Sequence, residues 1–182
     1  MTLYLLRHAK AGSRSSWSGD DRLRPLSGAG RRQAVLISEA LADLPITRIL
    51  SSPYARCVET AALVAEPHGL RVEEAVALAE GAPLPDVLAL ADAVAAEEAV
   101  LCSHGDVIPM LLEELASTGI DLGPEPRCQK GSIWIVEAGA SCPPPARYVP
   151  PPVRLRSRRI LVSPVPLAAV DSRDSSARHS VR

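Results

Sequence analysis

An arginine and a histidine follow the first apolar segment of the chain, and together they suit phosphoryl chemistry. The segment Leu3-Tyr4-Leu5-Leu6 has the composition of a buried strand, and Arg7 and His8 come directly after it. A guanidinium group has a planar fork of donors that matches phosphate oxygens, and a neutral imidazole can act as a nucleophile. Because many strands end in charged residues, this pair gains meaning only from the rest of the chain.

Three further residues that suit phosphoryl chemistry lie near the ends of other predicted elements. His104 follows the apolar run Ala99-Val100-Leu101-Cys102. Arg56 lies in the first turn of a predicted helix, where the helix dipole favours an anion, so an anionic ligand would explain its place. Glu80 lies in a loop before another predicted helix. We expect these side chains to converge with the first arginine and histidine on one rim of a sheet.

The elements that must position these residues alternate along the chain. Strands are predicted at 2–6, 48–51, within 69–74, and at 99–102, 132–137 and 146–149. Helices are predicted at about 27–43, 54–65 and 84–96, and after residue 106. This order predicts a three-layer α/β fold with a mostly parallel central sheet and helices on both faces. Ligands of such sheets bind at the carboxyl ends of the strands.

Apolar periodicity predicts the buried faces of two of these helices. The first face is Ala34, Ile37, Leu41 and Leu44, and the second is Ala55, Val58, Ala62 and Ala65. Between the first strand and the first helix, the polar stretch 12–27 is longer than a simple connection needs. Long loops in compact domains are often functional, so we expect this stretch to contribute to the site.

The composition limits the class of protein. Aromatic residues make up 3% of the 182 residues and Phe is absent, so the core must be aliphatic. No apolar run reaches the roughly 18 residues of a membrane helix, and no secretory signal is apparent. The four cysteines lie far apart, at Cys57, Cys102, Cys128 and Cys142, with no spacing typical of a metal site or a disulfide framework. Together these features lead us to expect a cytoplasmic protein with no membrane association, metal, cofactor or disulfide.

The charge is uneven along the chain. Residues 154–182 contain seven Arg and two Asp, a net of +5, which leaves about −6 for residues 1–153 out of the total of −1. The acidic body argues against a nucleic-acid-binding surface. A triple proline, Pro150-Pro151-Pro152, precedes the change in charge. We therefore predict a domain over 1–153 and a basic, disordered tail over 154–182. The oligomeric state cannot be read from this pattern.

Several motifs resemble the signature of the histidine phosphatase (phosphoglycerate mutase-like) superfamily. In chain order they are Arg7-His8, Ser52-Pro53-x-x-Arg56-x-x-x-Thr60 and Ser103-His104-Gly105. The compact size is similar to that of the small SixA-type phosphohistidine phosphatases. Segments 7–12, 19–26 and 130–134 resemble bacterial modules of this type, some of which are fused to Nudix hydrolases; no Nudix sequence is present here. Ala9 departs from the glycine that is usual in the first motif.

The resemblance implies a phosphatase that forms a phosphohistidine on His8. It implies that the phosphoryl group is bound by Arg7, Arg56, His104 and Gly105. Glu80 would be the proton donor, but small members of the family have a reduced acid loop. Three aspartates therefore remain alternatives for this role: Asp20, Asp21 and Asp106.

The resemblance favours a phosphohistidine protein as the substrate, with a phosphorylated protein as partner. The alternatives are a phosphatase for small phosphomonoesters or nucleotides, and a non-catalytic phospho-binding module. A mutase is disfavoured because no extra basic residues are evident for a second phosphate. The sequence gives even less support to a third alternative, the binding of nucleic acid through the basic tail.

Overall fold

The computed structural model describes residues 1–123, 127–137 and 146–153. Its strands are β1 (Thr2–Arg7), β2 (Arg48–Ser51), β3 (Val72–Glu74), β4 (Glu98–Ser103), β5 (Ile133–Glu137) and β6 (Ala146–Val149). Its α-helices are α1 (Gly28–Leu41), α2 (Ala55–Ala65), α3 (Leu84–Ala93) and α4 (Val107–Ser117). The predicted tail over 154–182 lies outside the described residues, so that boundary stays a prediction.

The six strands form one sheet in the order β3-β2-β4-β1-β5-β6. Strands β1 to β4 are parallel to one another, whereas β5 runs antiparallel to both β1 and β6. Apolar residues of α1 and α2 pack on one face of the sheet, and those of α3 and α4 pack on the other. The predicted three-layer α/β fold with a mostly parallel sheet is therefore confirmed. None of the helices in the described ranges has the length and apolarity needed to cross a membrane.

The three central parallel strands end at the same level, which creates the edge that carries the site. Arg7, the last residue of β1, pairs with Ser103, the last residue of β4. Ser51 ends β2 and pairs with Cys102 of β4. Residues that follow these three strands are therefore brought together although they are far apart in the sequence.

The structure corrects the predicted buried face of α2. We expected Ala55, Val58, Ala62 and Ala65 to be buried, but Ala62 is exposed and the buried set includes two polar residues, Arg56 and Thr60. The helix is rotated because these two polar side chains face the site. Helix α3 also ends at Ala93, three residues before the predicted end, and α1 ends at Leu41, two residues before its predicted end.

Candidate active site

A cavity of about 520 Å³ lies at the carboxyl edge of β1, β2 and β4. The six residues predicted for the site all line it: Arg7, His8, Arg56, Glu80, His104 and Gly105. The volume lies in the range of small-molecule sites. The structure thus brings together residues that the sequence places on four different connections.

His8 is held as a neutral imidazole with one free nitrogen. The side chain is 5% exposed, and its Nδ1 donates a hydrogen bond to the Ala9 carbonyl at 2.7 Å. Since Nδ1 carries the proton, Nε2 keeps its lone pair, and it has no hydrogen-bond partner among the described residues. Burial, with smaller contributions from the neighbouring Arg56 and Arg7, lowers the pKa of His8 to about 3. His8 therefore has the form required of a nucleophile at neutral pH.

Arg56 is the most buried cation of the site, at 1% exposed. Its Nη2 donates to Glu80 Oε2 at 2.6 Å, and its Nη1 donates to the Asp21 carbonyl at 2.9 Å. The guanidinium group lies over the Tyr54 ring, 4.7 Å from the centroid. The Nε atoms of Arg56 and Arg7 are buried and have no hydrogen-bond partner among the residues that the structure describes. Two guanidinium groups therefore retain donor capacity that an oxyanion can use.

Arg7 depends on the glycine that follows His104. Its Nη1 donates to the Cys128 carbonyl. A Cβ atom on Gly105 would overlap the Arg7 guanidinium group, so a side chain at this position would displace the arginine. The Ser103-His104-Gly105 motif therefore supplies room for Arg7 as well as a histidine.

His104 faces His8 across the cavity, with the ring centroids 5.3 Å apart and the rings near perpendicular. A hydrogen bond of 2.8 Å joins its Nε2 to Ser52 Oγ, and its Nδ1 lies 3.4 Å from Arg56 Nη2. The serine of the Ser52-Pro53 motif thus orients the second histidine.

Two polar residues tie the site together from the surrounding helices. Thr60 in α2 accepts a hydrogen bond from the Ala9 backbone N–H at 3.1 Å and donates one to the Arg56 carbonyl at 2.7 Å. Gln33 in α1 donates to the Lys130 carbonyl at 2.8 Å. Thr60 was singled out only as part of a motif, and Gln33 was missed because a glutamine on a helix carries no signal of its own.

Two of the four candidate proton donors line the cavity, namely Glu80 and Asp106. Arg14 Nη2 donates to both oxygens of Glu80, at 2.8 and 2.9 Å. Asp106 Oδ2 accepts a hydrogen bond from the Gly81 backbone N–H at 2.8 Å. Both carboxyl groups are therefore placed where a leaving group could reach them.

The other two candidates, Asp20 and Asp21, are absent from the cavity lining, and both are bound to arginines. Arg24 and Arg14 hold the pKa of Asp21 well below its usual range. Arg22 lowers the pKa of Asp20 in the same way. The place of these two aspartates outside the cavity lining leaves Glu80 and Asp106 as the candidate proton donors.

Three cations of the cavity were missed by the sequence analysis: Arg14, Arg24 and Lys130. Arg24 is buried and donates to the Gly12 carbonyl at 2.6 Å, which fixes the loop after β1. Its only signal was its place in segment 19–26, which resembles related modules. Within the described ranges, no group of three His, Cys, Asp or Glu side chains is arranged to hold a metal ion.

Comparison with known proteins identifies the family. A family model described as histidine phosphatase superfamily (branch 1) matches residues 3–82. An 8-oxo-(d)GTP phosphatase of Mycolicibacterium smegmatis is 30% identical over 158 residues, which cover 83% of this chain and 48% of that protein. The chain thus spans about half the length of this curated relative.

Solved structures share the fold. The protein histidine phosphatase SixA complexed with tungstate superposes with a TM-score of 0.65 at 23% identity, over 81% of this chain and 94% of the other. A second structure, described as a phosphohistidine phosphatase SixA from Nakamurella multipartitia, superposes with a TM-score of 0.59 at 28% identity. The match covers 74% of this chain and 83% of the other. The motifs, the fold and these matches agree, and the chain belongs to the histidine phosphatase superfamily.

Proposed function

We propose that this chain is a phosphatase that transfers the phosphoryl group of its substrate to His8 and then to water. One observation carries the proposal. A buried, neutral His8 with a free Nε2 shares a cavity with Arg7 and Arg56, whose buried Nε atoms have no partner in the described part of the chain. A nucleophile beside unsatisfied guanidinium donors is the arrangement that phosphoryl transfer needs.

In the first step the lone pair of His8 Nε2 attacks phosphorus, a nitrogen–phosphorus bond forms, and the bond to the leaving group breaks. Arg7, Arg56 and the His104 ring are placed to offset the charge on the equatorial oxygens. In the second step water attacks phosphorus, the nitrogen–phosphorus bond breaks, and phosphate leaves. The proton for the leaving group comes from Glu80, and the same group then accepts a proton from water.

The incoming phosphoryl group competes with Glu80 for Arg56, since Arg56 Nη2 donates to the Glu80 carboxylate. Displacement would turn Glu80 from a partner of the arginine into a neighbour of the leaving group. Glu80 would then act in both steps, the departure of the leaving group and the attack of water, with no movement of the backbone.

The similarity to SixA supports a phosphohistidine protein as substrate and a phosphorylated protein as partner. Phosphohistidine has a good leaving group, so it depends little on an acid. A small phosphomonoester or a nucleotide is the second candidate, and the relative named as an 8-oxo-(d)GTP phosphatase favours it. A non-catalytic module is disfavoured because phosphate binding alone would not require a neutral histidine with a free nitrogen.

The first experiment is phosphate release from an aryl phosphate by the wild type, His8→Ala and His68→Ala. Loss of the nucleophile should lower kcat by at least about 10³-fold. His68 does not line the cavity and serves as the matched control, which should keep wild-type activity. Quenching in alkaline denaturant, in which the nitrogen–phosphorus bond survives, followed by peptide mapping at alkaline pH should locate the trapped phosphate on His8.

The proposal fails if His8→Ala turns over at the wild-type rate, or if phosphate is trapped on another residue. Rates on a phosphorylated histidine carrier protein, on nucleotides and on sugar phosphates then separate the two substrate classes.

A further inference from the structure

A second cavity, of about 670 Å³, adjoins the first. Arg7 and Lys130 line both cavities, so the two spaces meet at these side chains. The remaining walls of the second cavity come from the loop after β1, from α1 and from residues 150–153. Its volume is that of a small-molecule site, and the family signature assigns nothing to it.

The charged residues that line the second cavity are all basic. They are Arg7, Lys10, Arg32 and Lys130, and among the described residues no Asp or Glu lines it. In this the second cavity differs from the first, whose lining includes Glu80. Like charges brought together around a concave surface repel one another and attract an anion.

The cations of the second cavity also lack partners. In the part of the chain that the structure describes, no hydrogen bond or ion pair engages the charged ends of Lys10, Arg32 and Lys130. The neighbouring residue on α1 behaves differently, because Arg31 forms an ion pair with Glu59 at 3.4 Å. Arg32 is therefore available to a ligand, although the cation next to it on the same helix is paired.

The backbones that carry the two lysines are held by one side chain. Gln33 Oε1 accepts a hydrogen bond from the Lys10 backbone N–H at 3.0 Å, and Gln33 Nε2 donates to the Lys130 carbonyl at 2.8 Å. Burial and the positive charge of Arg7 lower the pKa of Lys130, which shows that this ammonium lies in a cationic field. The site is thus built around an amide on α1.

We propose that the second cavity binds a second phosphate group of a small-molecule substrate whose first phosphate reacts at His8. The inference rests on the proposed function and narrows it to substrates with two phosphates, either a diphosphate or a bisphosphate. A guanidinium and two ammonium groups match the charge of a phosphate, and Arg7 between the cavities contacts both groups of one ligand. The sequence analysis missed these basic residues because Lys10, Arg32 and Lys130 are distant in the chain.

The test is calorimetric titration of the full chain carrying His8→Ala, which prevents turnover, with AMP, ADP and adenosine 3′,5′-bisphosphate. We expect one of the two-phosphate probes to bind at least about tenfold more tightly than AMP. Preference for ADP indicates a substrate with linked phosphates, and preference for adenosine 3′,5′-bisphosphate indicates a substrate with separated phosphates. Adding Arg32→Ala should remove most of this advantage. Adding Arg71→Ala, which removes an equal charge at the exposed residue before β3, should preserve it.

Equal affinity for AMP and both two-phosphate probes overturns the inference, and so does an equal loss in the Arg32→Ala and Arg71→Ala proteins. Because Arg32 is exposed on a helix, its replacement by alanine should not disturb folding, and Lys10→Ala provides a second variant. Phosphate release by the protein with His8 intact, from an aryl phosphate and from the preferred two-phosphate probe, separates this inference from the proposed function. Release without the two-phosphate advantage overturns only the subsite, whereas the advantage without release from either compound supports the subsite and overturns the function.

Discussion

At the scale of single residues, the two carboxyl groups in the cavity differ in what holds them. Glu80 is bound by Arg14 and Arg56, and Asp106 by a backbone N–H. If Glu80 is the proton donor, Glu80→Gln should slow aryl phosphates with poor leaving groups by about 10²–10⁴-fold. Esters with good leaving groups should be slowed far less, because they need no proton. The measurement is kcat/KM, which reports the transfer to His8 and not the later attack of water, over a series of aryl phosphates of rising leaving-group basicity.

Asp106→Asn is the matched control for this series, since it also replaces a carboxyl group of the cavity by an amide. We expect it to change all the rates by a similar, small factor. A steep dependence on the leaving group in Asp106→Asn, and a flat one in Glu80→Gln, would exchange the two roles.

The individual residues of the site differ in how far the sequence could predict them. Arg7, His8 and His104 were found because polar residues directly after apolar strands stand out. Gln33 and Lys130 were not found, because their part in the site depends on contacts between segments about a hundred residues apart. Such contacts are set by the topology of the sheet and leave no local pattern.

At the scale of elements, the start of α1 packs tightly against the loop that carries His8. A Cβ atom on Gly30 would overlap the Lys10 carbonyl, whereas one on Gly28 would make only ordinary contact with Arg32. Gly30→Ala should therefore destabilise the protein by about 1–3 kcal/mol. Gly28→Ala should be neutral or slightly stabilising, because alanine is the better helix former. Urea denaturation measures both effects.

The two glycines are two residues apart on the same helix, so propensity alone would give both variants the same sign. Equal stability changes in Gly28→Ala and Gly30→Ala would show that the close approach to the Lys10 carbonyl is relieved without cost. We also expect Gly30→Ala to lower aryl phosphate turnover, because the displaced loop includes Ala9, whose carbonyl orients His8.

Among the elements themselves, strands were easier to predict than helix faces. The predicted strand at 48–51 is observed as β2 with the same bounds. The face of α2 was predicted wrongly because apolar periodicity assumes that polar residues point to solvent, whereas Arg56 and Thr60 point into the protein. Local rules fail where function requires a buried polar side chain.

At the scale of the whole molecule, the site is assembled at a cost to stability. Two apolar clusters, one on each face of the sheet, hold the layers together. The edge between them buries His8, Arg56 and His104 almost completely. Burial favours the neutral form of an imidazole such as that of His8. Because the unfolded chain takes up a proton more readily, the stability of the fold depends on pH.

The stability of the molecule should therefore fall on acidification below the ordinary pKa of histidine. His8 has a pKa of about 3 when folded and about 6.5 when unfolded, so between these values the unfolded chain binds the extra proton. Unfolding is then favoured as the pH falls, by about 1.4 kcal/mol per pH unit from this one group. His8→Asn cannot take up that proton, so its free energy of unfolding should fall less steeply between pH 6 and pH 4. Urea denaturation of both proteins across this range measures the difference between their free energies of unfolding, in which the contributions of the carboxylates cancel. If the free energies of the two proteins fell in parallel with pH, the fold would not hold His8 neutral.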